Sequence, residues 1–323
     1  MTHSFKLSRR IARLRAALLA TVVLSVLACN STDSFDPASN SSPAAVDQGP
    51  EAGVQVSPVG QPQLASTSFA GGIPFGMFAL PTSEFGARYN GARNNIWPNH
   101  LLDELAAIKG RGGKIILMMA GPQAYYKNAD GTFSLSKWKA RIDRFKTVNF
   151  SAYVSDGTVI GHYLIDEPND PTNWGGKPIS PATVEEMAKY SKQLWPNLVT
   201  IARVAPAYLT GSHPYLDAAW AQYVSRKGDV NDYIKRNVAD AQSRGLALVV
   251  GLNVLKGGTP NGTKMTASEV KSWGSALLSS SYPCAFLSWT YDDGYLSSSD
   301  IRSAMDALRD QAESRSSKTC RGP

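Results

Sequence analysis

From Phe75 onward the chain alternates short apolar runs with stretches in which apolar residues return every three or four positions. Seven runs stand out, at 75–80, 114–120, 159–165, 198–204, 218–224, 246–253 and 284–291. Runs of that length without a polar alternation predict strands covered on both faces. Between them, Leu101, Leu102, Leu105 and Ile108 share one helix face, as do Leu135, Trp138, Ile142 and Phe145, then Val184, Met187 and Leu194, then Val230, Tyr233, Ile234 and Val238. Boundary residues agree with this division. Ser180 followed by Pro181 suits a helix start, Thr266 with Glu269 makes a capping box, and Gly245 ends the helix that begins near Asp229. Strand and helix in alternation predict a parallel sheet, because parallel neighbours need crossover connections that helices supply.

Length narrows the choice of sheet. The chain has 323 residues, 43% of them apolar, and the 251 from Ile73 onward match the usual size of a barrel of eight strands and eight helices. A doubly wound dinucleotide-binding sheet would carry a glycine fingerprint after its first strand, where Pro81-Thr82-Ser83-Glu84 stands instead. The expected fold is therefore α/β, a single-domain (β/α)8 TIM barrel over residues 73–323. Seven strands are visible, and the eighth is expected upstream of Phe75 or between Tyr125 and Ser155.

The segment before the barrel follows other rules. A basic stretch from Lys6 to Arg15 precedes 13 small and apolar residues, 16–28, fewer than the roughly 20 a helix needs to span a bilayer. The following Val26-Leu27-Ala28-Cys29 resembles a bacterial lipobox, which implies cleavage before Cys29 and a lipid on that cysteine. Residues 1–28 thus read as a lipoprotein-type signal peptide, and the expected location is the cell envelope, anchored to a membrane through Cys29 on the periplasmic or outer side. Residues 30–72 hold eight Ser, five Pro and five Gly, with four acids and no Lys or Arg, so 29–72 reads as anchor and flexible tether.

The signal also changes the meaning of the charge. The whole chain is +7, but five of its 33 basic residues precede Cys29 with no acid among them, leaving 28 basic against 26 acidic side chains. A net of +2 excludes a strongly basic nucleic-acid binder, so no nucleic-acid partner is expected, and nothing points to a protein partner. Three cysteines exclude a disulfide-dense scaffold and a four-thiolate zinc site. Cys284 opens the last predicted strand and Cys320 follows the last helix, so both belong at the N-terminal face, where a disulfide between them is expected in an oxidising compartment. No metal or cofactor is expected. His100, His162 and His213 lie at no ligand spacing, no Gly-x-Ser-x-Gly elbow occurs, and residues 257–264 lack the Gly-Lys-Ser/Thr order of a phosphate loop. His162, inside a strand, reads as a hydrogen-bonded core residue.

Barrel enzymes carry their chemistry at the C-terminal ends of the strands. There, Tyr163-Leu164-Ile165-Asp166-Glu167-Pro168 ends a buried strand in two adjacent carboxylates, which are costly to bury unless paired or functional. A strand ending in an acidic or amide residue, then Glu, then Pro, resembles the acid/base strand of (β/α)8-barrel glycoside hydrolases. Likewise Ser288-Trp289-Thr290-Tyr291 resembles their final strand. The resemblance implies a carbohydrate substrate, Glu167 as general acid/base, Asp166 as the residue that orients it or the sugar, and Trp289 beneath the sugar. On a purely structural reading, Asp166 caps the following loop and Glu167 pairs with Arg203 at the next strand end.

In that family the second carboxylate usually follows the strand at 246–253, which here ends in Asn253. Asp292 is the expected catalytic partner in its place, with Asp293, Glu84 and Asp217 as further candidates. Among the loop aromatics, Trp289, Tyr291, Tyr125 and Trp174 are expected to contact the sugar together with Asn253, Arg203 and Glu84. Trp174, next to Gly175-Gly176, is expected to be exposed. The rival reading is a non-catalytic glycan-binding barrel that lacks a nucleophile, and Asn253 keeps it open.

Overall fold

The computed structural model describes residues 71–322; the signal segment, Cys29 and the tether up to residue 70 lie outside the described residues. Eight strands form a closed barrel, β1 (Phe75–Phe78), β2 (Gly91–Asn94), β3 (Lys114–Leu117), β4 (Val159–Asp166), β5 (Thr200–Arg203), β6 (Ala218–Tyr223), β7 (Ala247–Leu252) and β8 (Ala285–Ser288). Each strand runs parallel to its neighbours, and β8 closes onto β1 with Phe75 opposite Phe286. The (β/α)8 expectation therefore holds.

The eighth strand is not where the sequence pattern placed it. It is β2, whose Gly91-Ala92-Arg93-Asn94 contains no apolar run. Its place is fixed by ladders on both sides and by the close approach of β1, where a Cβ on Gly76 would meet the Gly91 carbonyl oxygen at 1.8 Å. Two crossovers also depart from the regular repeat. Between β1 and β2, and between β5 and β6, only single 3₁₀ turns stand, at Thr82–Glu84 and Pro206–Tyr208.

The helices among the described residues are α1 (Leu101–Gly110), α2 (Leu135–Asp143), α3 (Ser151–Ser155), α4 (Pro181–Leu194), α5 (Val230–Ser243), α6 (Ala267–Ser279), α7 (Asp293–Leu296) and α8 (Ser299–Glu313). Their starts follow the side chains that satisfy the first amides. Ser180 Oγ accepts from Thr183 N at α4, Asp229 accepts from Asn231 N and Asp232 N at α5, and Thr266 and Glu269 close a capping box at α6. None of these helices is long and apolar enough to cross a membrane.

Two cores result. One lies between sheet and helices, where Leu105, Ile108, Trp138, Ile142, Val184, Met187 and Leu308 are buried. The other fills the lumen with Phe78, Ile116, Met118, Tyr163, Ile201, Trp220, Val249 and Leu287. Truncating a ring as large as Trp220 to alanine would cost about 3–5 kcal/mol, because the cavity left behind relaxes only in part. His162 sits on the outer wall of β4, with Nδ1 2.9 Å from Ser191 Oγ and its ring stacked on Trp138. Burial with no charged partner pushes its pKa down to about 3.

The C-terminal tail is tied to the N-terminal end of the barrel. Cys284 and Cys320 form a disulfide with Cα atoms 5.2 Å apart, and Arg321 Nη2 donates to the Asn197 carbonyl at 2.7 Å. Asp217, a candidate second carboxylate, belongs here: it precedes β6, accepts from Thr200 N at 2.8 Å and pairs with Lys192 Nζ at 2.5 Å.

Candidate active site

At the C-terminal end of the barrel the lumen closes in a floor of aromatic rings. Phe78 packs edge-on against Trp220 at 4.5 Å between centroids, against Trp289 at 5.3 Å and against Tyr163 at 6.0 Å. Strand alternation explains why two cations join them. Arg93 of β2 pairs in register with Phe78 and Ile116, both lumen residues, and so faces inward. Its guanidinium carbon lies 4.6 Å from the Phe78 and Tyr163 ring centroids alike. That of Arg203, the last residue of β5, lies 5.7 Å from Phe78 and 5.5 Å from Trp289. Such ring faces attract a cation, and more so where water is excluded.

The two carboxylates meet at Arg203. Asp166 ends β4 opposite Arg203 in the ladder, with Oδ1 2.8 Å from Arg203 Nε, both side chains less than a tenth exposed. Glu167 has a left-handed backbone, φ 40°, and its amide donates to the Arg203 carbonyl at 2.9 Å. Its Oε1 accepts from Arg203 Nη2 at 3.2 Å and Nη1 at 3.3 Å, and its Oε2 from Asn173 Nδ2 at 3.5 Å. Arg203 Nη1 also donates to Gln222 Oε1 at 3.2 Å, and Gln222 Nε2 donates to the Leu252 carbonyl. Of the three charges, Glu167 is the most open, with its side chain 27% exposed. Burial, and after it the Asp166 charge, hold the Tyr163 hydroxyl well above its ordinary pKa, so it stays protonated.

The pairing of Glu167 with Arg203, raised on the structural reading of the sequence, is thus present. Asp292 is engaged elsewhere: it is the N-cap of α7, its Oδ1 accepting from Tyr295 N at 2.7 Å, with Lys264 Nζ 3.9 Å away. Asn253 is buried and bridges to Trp289, and its Oδ1 accepts from Lys256 N at 3.0 Å. Glu84 lies in the turn after β1, where its charge reaches the half-buried Tyr291 and, behind burial itself, helps raise that hydroxyl's pKa. Tyr125 is exposed and meets Trp97 edge-on at 6.4 Å.

Trp174 requires a correction. It is fully buried rather than exposed: its ring packs against Tyr126 and Phe133, and its Nε1 donates to the Glu167 carbonyl at 3.0 Å. It is a brace behind the β4 turn and offers no face to a sugar.

Three polar residues of the site, Arg93, Gln222 and Asn173, escaped the sequence reading. Arg93 was hidden with the unrecognised strand β2. Gln222 had a readable signal, since Ala218, Trp220 and Gln222 fall on one face of β6 and put an inward amide at its C-terminal end. No group of three or more His, Cys, Asp or Glu side chains among the described residues is placed to hold a metal ion.

Among solved structures, the chain is similar to a beta-glucanase from Saccharophagus degradans, with 11% identity, a TM-score of 0.51, and 75% of this chain and 88% of that one covered. It is also similar to the catalytic domain of a GH26 endo-beta-1,4-mannanase from Bacillus sp. JAMB-750, at 13% identity, TM-score 0.49 and coverage of 76% and 87%. A GH18 chitinase from Pseudoalteromonas aurantia follows at 10% identity, TM-score 0.46 and coverage of 72% and 99%. These neighbours are glycoside hydrolases, and at such identities the glucanase likeness shows the barrel fold. No family model matches the chain, and no curated protein matches it.

Proposed function

We propose that the chain is a glycoside hydrolase acting on a poly- or oligosaccharide, with Glu167 as general acid/base. The observation that carries this reading is the setting of Glu167: at the end of β4, the most open of three clustered charges, held by Arg203 and Asn173 above an aromatic floor. Glu167 protonates the departing glycosidic oxygen as its bond to the anomeric carbon breaks, and water adds to that carbon while its proton passes back to the Glu167 carboxylate. Asp166 fixes Arg203, and Arg203 fixes Glu167, so the acid meets its substrate already oriented. Trp289 lies where a ring can stack on a sugar. Residues 1–28 serve export and Cys29 the lipid anchor, so the substrate is a carbohydrate of the cell envelope or its surroundings.

One observation favours a second reading, a barrel that binds glycan without cutting it. Asn253 carries no acid at the end of β7, and Asp292 is committed to capping α7. Reducing-end release from a broad polysaccharide panel separates the two. On the enzymatic reading Glu167→Gln lowers release by about 10²–10⁴-fold while the affinity for the same polymer changes little. Binding with no release by the unaltered chain leaves the binding reading; neither binding nor release overturns both.

A further inference from the structure

Arg93 is 4% exposed, yet its Nε and Nη2 have no hydrogen-bond partner among the described residues, and none of their carboxylates lies within ion-pair distance of it. A guanidinium is an expensive group to bury without an acceptor, and ring faces satisfy its charge but not its donors. Its neighbour on the floor differs sharply: Arg203 has Asp166, Glu167 and Gln222.

The rim beside β2 and β3 repeats the imbalance. Arg141 of α2 and Arg144 just beyond it have no carboxylate in ion-pair range among the described residues. Main-chain carbonyls hold them instead, Ala120 O for Arg141 Nε at 3.0 Å and Met119 O for Arg144 Nη2 at 3.1 Å. Arg141 lies 4.1 Å from the Tyr125 centroid and 5.2 Å from that of Trp97, and Arg144 lies 4.8 Å from Trp97. Both rings are more than 40% exposed. Met118 N donates to the Asn94 carbonyl at 2.9 Å, so the Met119 and Ala120 carbonyls that hold the rim arginines follow directly on the end of β2 beside Arg93.

We propose that this side of the mouth binds a glycan carrying an anionic group, a carboxylate or a sulfate, which Arg93 receives while Trp97 and Tyr125, backed by Arg141, stack on the chain beyond. The inference rests on the glycan reading above and names its substrate class. A planar guanidinium with two donors unsatisfied matches the two oxygens of a carboxylate or sulfate, which neutral hydroxyls cannot match in charge.

The test uses the full chain carrying Glu167→Gln, so that no polymer is consumed, and measures binding to alginate, polygalacturonate and chondroitin sulfate, each beside its carboxyl-reduced or desulfated form. Neutral mannan and β-glucan complete the set. At least one acidic polymer should bind, lose tenfold or more on neutralisation, and lose tenfold or more with Arg93→Met added. Whether carboxyl reduction or desulfation causes the loss identifies the anionic group. Equal binding of neutralised polymers, or binding of neutral polymers alone, overturns the inference and leaves the glycan reading standing; no binding to any polymer overturns both. If a melting curve shows that Arg93→Met does not fold, Arg141→Met decides, with a loss of threefold or more expected and a change under twofold overturning the proposal.

Discussion

At the N-terminal end of the barrel, Asp217 accepts from the Thr200 amide and hydroxyl and pairs with Lys192, and both charged side chains are 13% exposed or less. At the C-terminal end, Asp166 and Glu167 divide one guanidinium, and Glu167 opens to solvent. Both ends therefore hold an acid against a buried cation, supplied by α4 at the N-terminal end and by the adjacent strand β5 at the C-terminal end. Only one leaves a carboxylate within reach of a ligand. A carboxylate at a strand end is thus weak evidence of chemistry by itself; its remaining open side is what distinguishes the two.

The difference can be broken at either end. Arg203→Met should have the largest effect, lowering stability by about 3–5 kcal/mol in urea denaturation, because two carboxylates lose their shared partner. A loss under about 1 kcal/mol would mean that the C-terminal cluster is as well solvated as a surface pair. Asp217→Asn should cost about 2–3 kcal/mol, since Lys192 loses its counter-ion while the amide still accepts from Thr200. Glycan binding should be unchanged in this variant, and a change would tie the two ends together.

His162 provides the third setting, a titratable group in the wall between the ends with no charge beside it. Its pKa is about 3 when folded against 6.5 in an unfolded chain, so between those values the unfolded state binds the extra proton. Stability should therefore fall as the pH drops below about 6.5, by up to about 1.4 kcal/mol per pH unit from this residue. In His162→Gln, denaturation at pH 5 and 7 should show that part of the slope removed.

Much of this arrangement is legible in the sequence. The runs that became β1 and β3 to β8 are apolar because sheet and helices cover both their faces, and that leaves a clear imprint. Strand β2 left none: Gly91 and Ala92 are small where β1 comes close, and Arg93 and Asn94 serve the mouth. Trp174 was misplaced because Gly175-Gly176 suggested an open loop. Gly175 is instead the left-handed end of a tight turn, where a Cβ would meet the Asp130 carbonyl oxygen at 2.6 Å, and that turn folds the indole inward. At Asp292, the same Asp-Asp-Gly composition suits a cap or a catalytic loop, and only the contact with Tyr295 N separates them.

The backbone of Glu167 carries one more consequence. A glutamate at φ 40° sits in a region that favours glycine by roughly 1–2 kcal/mol. With glycine there Arg203 would keep Asp166 and Gln222, so the turn would form with less strain and the cluster would lose only its open carboxylate. Keeping a glutamate here therefore sets backbone ease against an open carboxylate at the strand end.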